Sequence, residues 1–303
     1  MINNPSPLII FAYNRHDEIV ATIDALKENY LADQTDVYVF SDKERALKDR
    51  ENVTKVREYL DVVDCGFKSF TVIKRKENYG LAKNVIEGVT EIIDNYGKVI
   101  VLEDDLVTSK NFLCYMNSAL EFYKNQKSIF SISGYSAVLP SLKDYKYDSY
   151  LSYRPSSWGW ATWKEEWSGI DWSVIDFNEF VENKKEVNKF NRGGIDMTRM
   201  LRHQRKGKNN SWAIRWSYAM HKKDRFCIYP KDSKVQNIGF GKDATHCSGM
   251  NIYQTELDDS NNCNFKFISS LKPDNQIARD FRYQFSYTNK LIKRTRLWVQ
   301  SLF

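Results

Sequence analysis

Three adjacent carboxylates, Glu103, Asp104 and Asp105, end the apolar run Val99-Ile100-Val101-Leu102. The run reads as a strand covered on both faces. Neighbouring carboxylates repel one another, so folding alone gives no reason to gather them. A hard divalent cation does, because it takes carboxylate oxygens and cancels their repulsion. A solvated acidic turn leading into the next helix, partly capped by Asp105, is the plainer alternative. Other polar groups also follow apolar runs: Asn14 and Arg15, Ser41 and Asp42, and Asn78-Tyr79-Gly80. A cation, a carboxylate, amides at a glycine turn and an acid triplet together suit a phosphorylated, hydroxyl-rich ligand with a metal.

The elements that must position these groups are legible as an alternation. Strands are expected at Pro7 to Tyr13, Asp36 to Phe40, Ser69 to Ile73, the acid-ended run and Ile129 to Ile132. Between them lie helical spacings, such as Ile19, Val20, Ile23 and Leu26, or Leu81, Val85, Val89, Ile92 and Ile93. Strand–helix alternation predicts an α/β fold: a mostly parallel, Rossmann-like sheet flanked by helices. In such sheets ligands bind beyond the carboxyl ends of the strands, where the groups above fall. No GxGxxG or GxxxxGK[ST] occurs, which disfavours a dinucleotide oxidoreductase or a P-loop NTPase.

Composition narrows the classes further. The formal charge of the 303 residues is +6, and much of the excess lies in the last twenty-five. The remainder is near neutral, so no nucleic-acid partner is expected. Five cysteines and four histidines are scattered without a CxxC or Cys/His cluster, which indicates neither a disulfide framework nor a zinc site. The polar start gives no sign of a signal peptide, and no apolar run reaches membrane-spanning length. A cytoplasmic location is the default.

Taken in order, Phe11-Ala-Tyr-Asn-Arg15, Asn78-Tyr-Gly-Leu-Ala-Lys-Asn84 and Glu103-Asp-Asp105 resemble the nucleotide-sugar domain of GT-A type glycosyltransferases. The acid motif is similar to that of the metal-dependent N-acetylglucosaminyltransferases. Ser157-Trp-Gly-Trp-Ala-Thr-Trp163, Ser211-Trp-Ala-Ile-Arg-Trp216 and Asn237-Ile-Gly-Phe240 resemble bacterial capsule and O-antigen transferases. The resemblance implies Mn²⁺ or Mg²⁺ held by Asp105 against the diphosphate of a sugar donor, most simply a UDP-sugar. Glu103 and Asp104 would meet ribose or sugar hydroxyls. Tyr13, Asn14, Arg15, Asp42, Asn78, Gly80 and Asn84 would complete the donor site, Arg15 on the phosphates. His246, late in the chain, would join the metal or the diphosphate, in a loop (239–246) able to close over the donor.

An acceptor half is expected over 136–250, after a donor half over 1–135. Indole rings stack on the C–H faces of sugars, so Trp158 and Trp160 are the expected acceptor contacts. The alternative is that the tryptophans are core. Arg215 would reach acceptor or phosphates. In the resembling enzymes an aspartate after tryptophan serves as base; here Ala213 stands in its place. Glu165 and Asp171 are the substitute candidates for an inverting reaction. Ala213 also invites a degenerate, glycan-binding reading, and a sugar nucleotidyltransferase is a second rival. Residues 251–278 read as a polar linker. Residues 279–303 read as one basic amphipathic helix for a membrane surface, which suits a lipid-linked glycan acceptor at the inner face of the cytoplasmic membrane.

Overall fold

Five apolar residues in a row, Leu8–Ala12, form β1, buried along its whole length. β2 (Asp36–Ser41), β3 (Ser69–Lys74) and β4 (Lys98–Glu103) follow it. Each is reached through a helix: α1 (His16–Lys27), α2 (Arg50–Val62) and α3 (Gly80–Tyr96). The computed structural model describes residues 4–63, 66–240 and 251–300, with side chains through Trp298. β1 pairs in parallel with β2 on one side and with β4 on the other, and β2 pairs with β3. The chain therefore steps outward from β1 to β3, then crosses back to lay β4 against β1. Strand order reverses at that seam, and in sheets of this kind ligands bind at the carboxyl end of such a reversal. Phe11 lies opposite Glu103 in the register. The residues that follow each must leave the sheet side by side.

The rest of the chain extends the sheet. In order come β5 (Leu106–Thr108), α4 (Phe112–Tyr123), β6 (Ile129–Ser133), β7 (Ser149–Ser152), β8 (Trp160–Trp163) and α5 (Lys164–Trp167). Then come α6 (Phe177–Glu182), α7 (Lys184–Phe190), α8 (Met197–Arg205), α9 (Trp212–Lys222), β9 (Phe226–Pro230) and β10 (Val235–Asn237). The sheet reads β3-β2-β1-β4-β8-β6-β9-β7. Only β7 and β8 run against the other strands. The mostly parallel α/β sheet expected from the alternation is the one observed. β10 pairs antiparallel with β5 as a separate ribbon directly after the acids.

The tail departs from expectation in two ways. Residues 251–274 form no helix or strand, yet they pack closely and are no free linker. Phe265 and Phe267 sit 5.2 and 5.7 Å from the Tyr115 ring, and Asn111 donates to Asp258 Oδ2 at 2.7 Å. The single terminal helix is in fact two, α10 (Asn275–Gln284) and α11 (Tyr287–Gln300), parted at Phe285 and Ser286. Phe281 turns inward onto Tyr150 and Tyr229, and Phe285 lies under the Arg154 guanidinium. These two aromatics belong to the protein interior, not to a membrane-facing stripe.

Candidate active site

The acids occupy the turn between β4 and β5. Asp104 and Asp105 are buried and Glu103 is half-buried. Asp104 Oδ2 accepts the Tyr13 backbone N–H at 3.0 Å. Arg15 Nη1 reaches Asp105 Oδ2 at 2.5 Å and stands 4.0 Å from Asp104 Oδ1. One guanidinium thus faces three carboxylates. Burial pushes the Glu103 carboxyl well up, and the charges of Asp105 and Asp104 push it further; Arg15 pulls the other way. Burial and Asp105 likewise raise Asp104. Burial raises Asp105 as well, against the pull of Arg15 and of the nearby Asn237 amide. Asp105 Oδ1 is sealed from solvent and has no hydrogen-bond partner among the described residues. A buried carboxylate oxygen without a partner costs free energy unless something binds it.

The β5–β10 ribbon lays the segment after Asn237 over these acids. Ile238 N–H donates to the Asp105 carbonyl at 2.9 Å, and Gly239 N–H to Asn237 Oδ1 at 2.9 Å. A Cβ on Gly239 would stand 2.0 Å from Asp105 Oδ2 and 2.7 Å from Arg15 Nη1. Only glycine lets the backbone approach so closely. The sequence sets Asn237 and Gly239 within a family-like motif and a closing loop, but gives neither a place against the acids; the structure puts both there. Their signal was the Asn-Ile-Gly-Phe run, but nothing local tied it to acids 130 residues earlier.

The other expected donor contacts divide into two groups. Tyr13 and Arg15 are brought to the acids, with Asn14 half-buried between them. Tyr13 Oη also donates to Asp49 Oδ2 and accepts the Arg45 N–H. Asp42, Asn78, Gly80 and Asn84 are instead spent on the protein itself. Asp42 is buried and accepts from the N–H groups of Lys43, Tyr79 and Gly80, each at 2.9 Å, and from Asn78 Nδ2 at 3.2 Å. It fixes the left-handed turn at Gly80 (φ 66°) that starts α3. Asn84 accepts from Arg75 Nε at 2.9 Å. Asp42→Ala would strand four donors and is expected to cost about 2–4 kcal/mol of stability. A lowered urea midpoint checks this; an unchanged midpoint with lost donor affinity would restore Asp42 to the ligand.

The acceptor candidates are more sharply corrected. Trp160 sits at the centre of a tryptophan cluster, 4.4 Å from Trp216, 5.3 Å from Trp212 and 5.5 Å from Trp167. It is buried core, 1% exposed, worth about 3–5 kcal/mol of packing. Trp158 is half-buried beside Phe240 and Tyr135, next to the segment that covers Asp105. It remains at the edge of the site. Arg215 donates to Ser211 O, Trp172 O and Asn210 Oδ1. It lines a separate cavity of about 260 Å³ with Lys83 and Glu87.

The two candidate bases are placed differently. β8 is antiparallel to β4, with Trp163 opposite Lys98 and Trp160 opposite Val101. Glu165, beyond Trp163, therefore lies past the far end of β4, roughly 17 Å or more from the acids at about 3.3 Å per residue. It is solvent-exposed there. Asp171 accepts from the Ser173 hydroxyl and from the Ser173 and Ile175 N–H groups. The Ser173 hydroxyl and then the Ile175 N–H hold its carboxyl below the ordinary range, which suits a turn and not a proton acceptor. His246 lies outside the described residues.

Residues 8–166 match the family described as Glycosyl transferase family 2. No curated protein sequence matches the chain. Among solved structures, S. aureus TarS 1-349 in complex with UDP-GlcNAc aligns over 43% of this chain and 33% of its own, at 15% identity and a TM-score of 0.31. A structure of S. aureus TarS 1-349 aligns over 52% and 47%, at 13% identity and a TM-score of 0.36. The chain spans less than half the length of either structure. The family match covers just over half of the 303 residues and includes the seam, the acids and the antiparallel strand beside them. On that match, and with this sheet beneath it, the chain belongs to glycosyl transferase family 2 and carries its domain on a GT-A type α/β fold.

Proposed function

We propose that this protein transfers a sugar from a nucleotide-sugar donor, a UDP-sugar in the simplest case, to a hydroxyl of a surface-glycan acceptor. The observation that carries the reading is the Asp105 carboxylate, buried at the strand-order reversal with one oxygen that has no hydrogen-bond partner among the described residues. That oxygen, among three raised carboxyls and a single guanidinium, fits a divalent cation. No trio of His, Cys, Asp or Glu that could hold a metal converges among the described residues. Mn²⁺ or Mg²⁺ would be taken with substrate, since such ions use one or two carboxylates and leave the remaining positions to phosphates and water. Asp105 would hold the ion, which when bound neutralises charge on the departing diphosphate. Asp104 and Glu103 would orient ribose or sugar hydroxyls. Arg15 is the cation within reach of the phosphates. Trp158 would offer its indole face to the acceptor.

The acceptor proposed is a growing glycan on a lipid carrier at the inner face of the cytoplasmic membrane. No helix among the described residues is long and apolar enough to cross a membrane. The test is incubation with Mn²⁺ and a panel of nucleotide sugars, without acceptor. Slow release of nucleoside diphosphate from one donor is expected, since transferases leak to water. Glycan binding without release from any donor would favour the degenerate reading invited by Ala213. Consumption of nucleoside triphosphate plus sugar phosphate would favour a nucleotidyltransferase. With acceptor in hand, the anomeric configuration of the product by NMR decides between inversion, the form proposed, and retention.

A further inference from the structure

α11 turns three polar side chains, Asn289, Lys290 and Lys293, toward the domain. Asn289 is buried. Lys290 Nζ reaches Asp196 Oδ2 at 3.0 Å, while Arg154 holds Asp196 Oδ1 at 2.8 Å. Lys293 Nζ donates to Gln284 Oε1 at 2.8 Å and to the Ile252 carbonyl at 3.1 Å. The apolar residues point out. Leu291 is 67% exposed and Ile292 40%, with Tyr287 and Trp298 also more than half exposed. Arg294 and Arg296 are exposed among them.

A second basic surface adjoins this face. The Arg199 guanidinium of α8 lies 4.8 Å from the Tyr287 ring. From Arg199 the chain exposes Arg202, Arg205, Lys206 and Lys208, and no acidic residue occurs between Met197 and Lys223. None occurs after Asp280 either. A second copy of the chain would set this positive surface against itself. A neutral partner would leave the arginines unanswered. An anionic bilayer answers both features: the outward side chains enter the headgroup boundary, and the arginines meet lipid phosphates.

We propose that the outer face of α11 and the exposed basic face of α8 form one platform that docks on an anionic lipid bilayer. The proposal deepens the reading of a lipid-linked acceptor and rests on it only for its purpose; vesicle binding and donor hydrolysis are read separately, so either can fail alone. The full chain is floated with vesicles of phosphatidylcholine, or of phosphatidylcholine mixed with phosphatidylglycerol. Binding is expected only to the mixture, and it should weaken as salt rises. The pairs Leu291→Ser with Ile292→Ser, and Arg199→Glu with Arg202→Glu, should each cut binding by at least about tenfold. Both should keep the wild-type melting curve and the wild-type donor hydrolysis in solution. Four results would overturn the platform: no binding to either vesicle, equal binding to both, wild-type binding by either folded double variant, or a stable dimer in sedimentation that Leu291→Ser with Ile292→Ser dissolves.

Discussion

Asp105→Asn is expected to lower donor turnover by about a thousandfold or more while leaving the fold intact. About 4 kcal/mol of transition-state stabilisation corresponds to that loss at 1.36 kcal/mol per tenfold. The amide keeps the shape of the carboxylate, and its oxygen can still accept from Arg15. What it lacks is the negative charge a cation would seek. Stability should change by no more than about 1 kcal/mol, because the Asp105 charge costs burial and raises both Glu103 and Asp104, which offsets much of its pairing with Arg15. Parallel measurement of nucleoside diphosphate release and of the urea midpoint checks both halves. Retained turnover would end the assignment of Asp105. Lost turnover through unfolding would make the acids a structural device.

The second large effect is a linked dependence on pH and divalent cation. The carboxyls of Glu103, Asp104 and Asp105 are all raised above their ordinary values, chiefly by burial and for the first two also by the charge of Asp105. The native state therefore holds protons that the unfolded chain has released above about pH 4. Stability must fall as pH rises from there toward and through neutrality, and the penalty is complete above the folded-state values. Other carboxylates add their own dependence, so the informative quantity is the difference between wild type and Asp105→Asn. The variant removes one charge and eases the other two, so its melting temperature should fall less between pH 5 and pH 8, by about one or two degrees. Mn²⁺ with nucleoside diphosphate should raise the wild-type melting temperature more at pH 8 than at pH 5, because protons and cation compete for the same oxygens. Equal shifts at both pH values, or the same shift in the variant, would remove the cation from this site.

The sequence by itself determined the donor side of the molecule down to the end of β4. Continuous apolar runs and helical spacings are local signals, and their alternation leaves few sheets to build. A run such as Val99 to Leu102 has to be an interior strand, so whatever follows it sits at an edge where ligands bind. That is why Arg15 and the acids could be named together before their contact was seen. Tertiary structure decided everything that rests on strand direction and distant pairing. The antiparallel course of β8 carried Glu165, a candidate base, away from the acids and set Trp160, in a motif that suggested acceptor contact, in the core. Pairing of β10 with β5 brought Asn237 and Gly239 over Asp105. The turn at Phe285 and Ser286 split the tail, and ion pairs to Asp196 chose which face of α11 looks outward. Periodicity fixes which residues share a face. Which face meets the core depends on long-range packing, and a sequence window holds no term for that.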